Sequence, residues 1–350
     1  MSTRRGVRSG AAILIAIVTV GALATPASAH TLSGVQATNY RSRITSITPP
    51  VAGVSVRLID LGRKVELVNR TKQTVQVLGY SNEPYLRVGP AGVFVNQKSP
   101  TFYLNRSTST ATQQTVPKQY SATAPPVWYR TGAGPRATWP DRRTRQEGAD
   151  PVAVVNNRHK PVTVSTWTIA LAYGTSPVTV SGTITYEPPP SGATWLAITL
   201  VAFAVTAGLG LLGRWHLALA AALALVVALN MVDAAGSAVV SGGSHWAEVG
   251  RMLPSLPVWL LALFTIGPLE RKSEGGLVAL AVVGFFIAAF NGLGGLSSLL
   301  RSQVPFAWDG NVSRWATSLA LGIGFGLLAA VAIVFRRFGA EWAAAAEASR

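Results

Sequence analysis

The chain has 350 residues, a mean hydropathy of +0.34, 49% hydrophobic but only 13% charged residues, and a formal net charge of +16. That apolarity is too high for an ordinary soluble domain of this length, so a membrane protein is the default reading. With no cysteine, an exported segment would have to hold itself together by core burial alone.

At the N-terminus, Arg4, Arg5 and Arg8 precede an apolar core from Ala11 to about Leu23, and Ala27-Ser28-Ala29 supplies the small residues a signal peptidase reads. The apolar run is too short to cross a bilayer, so residues 1–29 read as a signal peptide. Cleavage there leaves His30 as the first residue, where the α-amine and ring nitrogen together form a Cu(II) chelate.

Residues 30–190 read as an extracytoplasmic β-domain. Val54–Ile59, Lys64–Val68 and Thr74–Tyr80 alternate or are β-branched, with turns between them. Pro151–Val155, Val162–Tyr173 and Val178–Tyr186 repeat the pattern, and Gly174 to Pro177 is the loop of a closing hairpin. His159 falls in Asn156–Pro161, read as a hairpin turn, and 106–125 reads as a long polar surface loop. The expectation is an immunoglobulin-like β-sandwich. This part holds 18 Lys and Arg against 7 Asp and Glu, so it should be drawn to anionic lipid headgroups or envelope polymers. Nucleic acid is excluded as a partner, because the basic residues are scattered over an exported domain.

Two passages carry a resemblance. Glu83-Pro84-Tyr85-Leu86-Arg87-Val88-Gly89-Pro90, continuing through Ser99-Pro100 and Tyr103-Leu104-Asn105, resembles the signature of an uncharacterised actinobacterial family of secreted, membrane-anchored proteins. That family carries a later Trp-His-Asp-His-Arg-x-His-Trp motif. Here Trp139, Asp141 and Arg143 fit it, but Pro140, Arg142 and Arg145 stand where the histidines would be. The resemblance implies that any metal those histidines hold has no site in this chain. The hairpin from Trp167 to Tyr186 is similar to the closing hairpin of CopC-type copper-binding domains, without the Asp-Gly-His of their loop. It implies the sandwich fold rather than its metal residues.

From residue 191 the chain turns apolar. Trp195–Leu212, Trp215–Val232, Leu253–Leu269, Gly276–Leu296 and Ala316–Phe335 are each long enough to span a bilayer, giving a five-helix all-α domain over 191–336 and a tail over 337–350. Export of the β-domain sets the first span running inward and leaves the C-terminus in the cytoplasm. The loops agree: Arg214, Arg271, Lys272, Arg336, Arg337 and Arg350 lie inside, against Arg251, Arg301 and Arg314 outside. Gly322 and Gly326 form a small-xxx-small pair for close helix packing.

Polar residues within spans mark pathways or sites, and here they are Asn230, Asp233 and Asn291. Asp233 is expected at the interface, capping or solvated, in preference to a proton relay. His245, Glu248 and Met252 fall on one helical face, read first as a short interfacial helix beside Trp246. No nucleophile or zinc-protease motif surrounds any of the four histidines, so catalysis is not expected. The sequence therefore favours a non-catalytic envelope protein without a cofactor, whose β-domain binds an unidentified protein or an anionic surface component. The alternative is copper handling through His30 with His159 or His245.

Overall fold

In a computed structural model, residues 35–106, 115–240 and 244–348 are described. Among the described residues, ten strands form the first half: β1 (Tyr40–Thr48), β2 (Val54–Ile59), β3 (Lys64–Asn69), β4 (Val75–Leu78), β5 (Pro84–Gly89), β6 (Gly92–Asn96), β7 (Trp128–Gly132), β8 (Arg136–Pro140), β9 (Val162–Tyr173) and β10 (Ser176–Tyr186). They make two antiparallel sheets, one of seven strands in the order β1-β10-β9-β4-β5-β6-β7 and one of three in the order β2-β3-β8.

The expected period of two is visible along β10, where Val178, Val180, Gly182, Ile184 and Tyr186 are buried and the residues between them are not. Val178, Val180 and Ile184 meet Val65, Leu67, Val77, Val88, Trp139, Trp167 and Ile169 in one apolar core. Gly182 interrupts the β-branched run because a Cβ there would stand 2.2 Å from the Trp167 ring and 2.4 Å from the Arg43 carbonyl.

One expected strand is corrected. Pro151–Val155 does not extend but coils into α2 (Val152–Val155), following a first short helix, α1 (Pro100–Arg106). The Pro151 carbonyl accepts from the N–H groups of Val154 and Val155 at 2.9 and 3.0 Å, closing a local turn. β-Branched residues favour a strand only where a neighbouring strand offers a pleated surface to pack on. The segment holding His159 accordingly links this helix to β9 rather than joining two strands. The described part of the expected long loop, 115–125, has neither helix nor strand.

Among the described residues, the second half holds five helices long and apolar enough to cross a membrane, so the chain is a multi-pass integral membrane protein with an attached β-domain. They are α3 (Gly192–Leu209), α4 (Trp215–Val240), a third span from α5 (His245–Met252) through a 3-10 turn into α6 (Leu256–Glu270), α7 (Glu274–Phe286) continued by a π-helical turn (Ile287–Leu293), and, after the short α8 (Leu296–Leu300), α9 (Gly310–Ala348). Ser191, Ser244 and Ser273 cap α3, α5 and α7, each accepting from a backbone N–H three residues on.

α9 is the central helix, touching α3, α4, α7 and the π turn. Leu219, Leu223, Leu277, Leu280 and Ile287 are fully buried around it, as is its own Leu327. Gly322 and Gly326 face α3 within the same chain: a Cβ on Gly322 would stand 2.5 Å from the Thr199 carbonyl, and one on Gly326 2.6 Å from Thr206 Cβ. Gly284 and Gly324 bring α7 and α9 equally close, each blocking a Cβ on the other with its carbonyl oxygen.

Candidate functional site

Three features stand out: the seam between the halves, a polar cavity in the bundle, and the cluster formed by the two sequence motifs. At the seam, β10 ends at Tyr186 and α3 begins at Gly192, so only five residues separate sheet from membrane helix. Thr38 and Gln303 form an antiparallel bridge, donating N–H to carbonyl both ways at 3.0 and 2.8 Å. Ser302 N–H donates to Asn39 Oδ1 at 2.9 Å, and Gln303 Nε2 donates to Glu187 Oε2 at 2.7 Å. Glu187 in turn accepts from Arg41 at 2.9 Å and donates its own N–H to the Asn39 carbonyl at 2.8 Å.

The segment that reaches up to the β-domain is itself held by Arg314. Its guanidinium is buried and donates to the carbonyls of Ser298, Arg301 and Ser302 at 3.0, 2.8 and 2.8 Å, and to Asn311 Oδ1 at 2.9 Å. Sequence reasoning treats Arg314 only as a loop charge; nothing in one dimension says that a planar five-donor fork meets three carbonyls there.

The same end of the β-domain carries the 150–161 segment. Val162, the first residue of β9, pairs with Tyr186, and Tyr186 Oη donates to the Arg158 carbonyl at 3.1 Å. Tyr40 Oη donates to Asp150 at 2.6 Å; burial, with that bond, pushes the Tyr40 phenol above its usual range. Val152 is 75% exposed, and Val155, Arg158, His159 and Lys160 are exposed beside it. An apolar and cationic tip thus stands where the chain enters the membrane helices.

The three intramembrane polar residues, on two different helical segments, converge. Asn230, Asp233 and Asn291 line one cavity of about 450 Å3, with Ser237, Ser298, Ser313 and Thr317. α4 runs seven residues past Asp233 to Val240, which places the carboxylate about 10 Å inside the helix end. Asp233 therefore does not cap the end of α4. Trp259 Nε1 donates to Asn230 Oδ1 at 2.7 Å, and Asp233 Oδ1 is buried with no hydrogen-bond partner. Asn291 sits on the π turn, a helical irregularity that recurs at functional sites.

In the β-domain, the two motifs meet. Asp141 is fully buried and accepts from Trp139 Nε1 at 3.0 Å and from Arg143 through its backbone N–H, Nε and Nη2 at 3.1, 3.0 and 2.8 Å. The Arg143 guanidinium lies over the Tyr80 ring at 5.1 Å, and Tyr80 Oη donates to Asn105, whose amide donates to Tyr85 Oη. Burial pushes the Tyr85 phenol up to about 12. Glu83 is buried and accepts from Ser99 Oγ at 2.5 Å, Thr101 N–H at 3.2 Å and Ser81 N–H at 3.0 Å. Its burial raises the carboxyl pKa, but these hydrogen bonds outweigh burial and hold it below the usual range. The Pro84 carbonyl accepts from Asn96 at 2.8 Å, and Arg87 stacks over Trp128 at 4.2 Å. These contacts tie the residues of both motifs into the interior of the β-domain.

Of the metal candidates, His30 lies outside the described residues. His159 is exposed on the 150–161 segment, and His245, fully exposed, pairs with Glu248 at 3.2 Å on α5. Among the described residues no three His, Cys, Asp or Glu side chains are grouped to hold an ion. The positions that the resemblance gives to histidine are half-buried, with Arg142 and Arg145 donating to the Leu104 and Arg63 carbonyls.

No protein-family model matches this chain, and neither the curated proteins nor the solved structures include a significant match.

Proposed function

We propose that this chain is a non-catalytic protein of the cell envelope, with its β-domain outside, its C-terminus in the cytoplasm and its basic outer surface engaging anionic lipid headgroups. The resemblance to secreted, membrane-anchored proteins fits this arrangement, as does the excess of positive charge in the loops assigned to the inside.

The seam carries the reading. Two backbone hydrogen bonds and the Gln303–Glu187–Arg41 chain join sheet to bundle, so the 150–161 segment faces the bilayer surface that α3 enters. Val152 and Val155 then reach the headgroup boundary, while Arg158 and Lys160 meet lipid phosphates, each such cation contributing about 1 kcal/mol near an anionic surface. The attraction falls off within about 8 Å at physiological salt, so the short tether matters as much as the charge.

The test uses the absence of cysteine: Val152→Cys introduces a single thiol for an environment-sensitive fluorophore. In bilayer discs containing anionic lipid, the emission should shift to the blue relative to zwitterionic discs, and added salt should reverse the shift. A probe equally water-exposed in both lipids would refute the reading.

A further inference from the structure

The cavity lined by Asp233 lies wholly within the bundle, apart from the basic surface of the β-domain. Its wall combines one carboxylate with apolar surface. Asp233 Oδ1 is buried without a hydrogen-bond partner, and among the described residues no cationic side chain forms an ion pair with Asp233. The lining contains no Lys, Arg or His, so an anionic ligand would find no countercharge. What Asp233 Oδ1 lacks is a donor, and the natural complement is a ligand bringing N–H groups and positive charge.

The rest of the wall says what such a ligand looks like. Phe286 and Phe290 stack with centroids 5.6 Å apart, and Pro254, Pro257 and Val304 complete an apolar lining. Phe290 is 62% exposed and Pro254 and Pro257 are exposed, so the cavity opens to the outside of the bundle beside these apolar side chains. Ring faces attract cations, and at about 450 Å3 the cavity lies within the usual range of small-molecule sites. A bare metal ion fits poorly, because it needs several oxygen ligands converging at short distance and most of this wall is carbon.

We propose that the cavity binds the primary ammonium head of an amphiphile, which donates to Asp233 while its chain leaves past Phe286 and Phe290 into the bilayer. Such a head is found on aminophospholipids and on single-chain amines alike; the ammonium and the apolar chain are the shared chemistry.

Full-length protein in a neutral sugar detergent is titrated with dodecylamine, dodecyltrimethylammonium and dodecanol, with binding read by native mass spectrometry and thermal shift. Dodecylamine should bind one to one and about tenfold tighter than either of the others, because only it offers both charge and N–H donors. Asp233→Asn should lose that preference, and Ser237→Phe, which fills the cavity, should lose binding. If Asp233→Asn does not fold, the three-ligand comparison on the unaltered chain decides alone. Equal binding of dodecanol or of the trimethyl compound, or undiminished binding by a folded Asp233→Asn protein, would overturn the proposal. Displacement of dodecylamine by phosphatidylethanolamine but not phosphatidylcholine identifies an aminolipid as the source; displacement by neither leaves the single-chain amine.

Discussion

Gln303 and Thr38 lie in antiparallel register, each giving its backbone N–H to the other's carbonyl, so the loop before α9 adds a single rung beside the start of the β-domain. This rung, with the Gln303 to Glu187 side-chain bond, sets the β-domain on the bundle.

Gln303→Pro removes the N–H that Thr38 accepts and the side-chain amide that reaches Glu187. A hydrogen bond of this kind contributes about 1 kcal/mol and one to a charged group about 1.5–3 kcal/mol, so the seam should open measurably. Spin labels on the two halves should show a broader distance distribution than in the unaltered chain, with the bundle still folded. An unchanged distribution would mean that the tether alone positions the domain.

Arg314→Lys keeps the charge but replaces a planar fork with a single point donor that cannot serve three carbonyls and Asn311 together. Orphaned buried acceptors cost about 1–3 kcal/mol each, so the 298–303 segment should open more often. The expected observation is amide exchange at Ser302 and Gln303 faster by about tenfold or more, while the centre of α9 stays protected.

Asp141→Ala should be the most damaging single change in the β-domain. It leaves the Trp139 indole N–H and the Arg143 guanidinium without their acceptor in a buried setting. Breaking one side of such a pair costs about 3–5 kcal/mol, well above a surface substitution. A large loss of thermal stability is expected, whereas Arg87→Ala, at an exposed stacking contact, should cost far less.

Glu83 predicts the acid side of the stability profile. Its native pKa lies below the ordinary value, so the charged carboxylate stabilises the fold fully above the unfolded pKa of about 4.3, and that contribution is lost as pH falls through the native pKa. Denaturant titrations should show stability falling below about pH 5, and Glu83→Gln should be less stable at neutral pH but with a shallower acid dependence. Parallel profiles would assign the acid loss to other carboxylates.

Much of the architecture is legible in one dimension. Val54–Ile59 and Val162–Tyr173 emerge with the expected bounds, and all five apolar spans are helices. Burial periodicity and span length are local consequences of which solvent a segment meets, so they are written into consecutive residues. Where neighbours rather than solvent decide, local reading fails. The Val-rich Val152–Val155 coils into a helical turn instead of pairing as a strand, and α4 continues past the expected end at Val232 to Val240. Asn230, Asp233 and Asn291 can be singled out as costly polar residues from the sequence, but not as the wall of one cavity.

By itself, then, the sequence determined the two solvents, the strand-rich first half and the five crossings, because hydropathy and alternation act over a few residues. Only the tertiary structure decided that Asp233 shares a cavity with Asn291, that the Arg143 guanidinium lies over the Tyr80 ring, and that Thr38 meets Gln303. Each of those is a hydrogen bond or a packing contact between distant segments, and its partner is set by how whole elements stack rather than by any spacing along the chain.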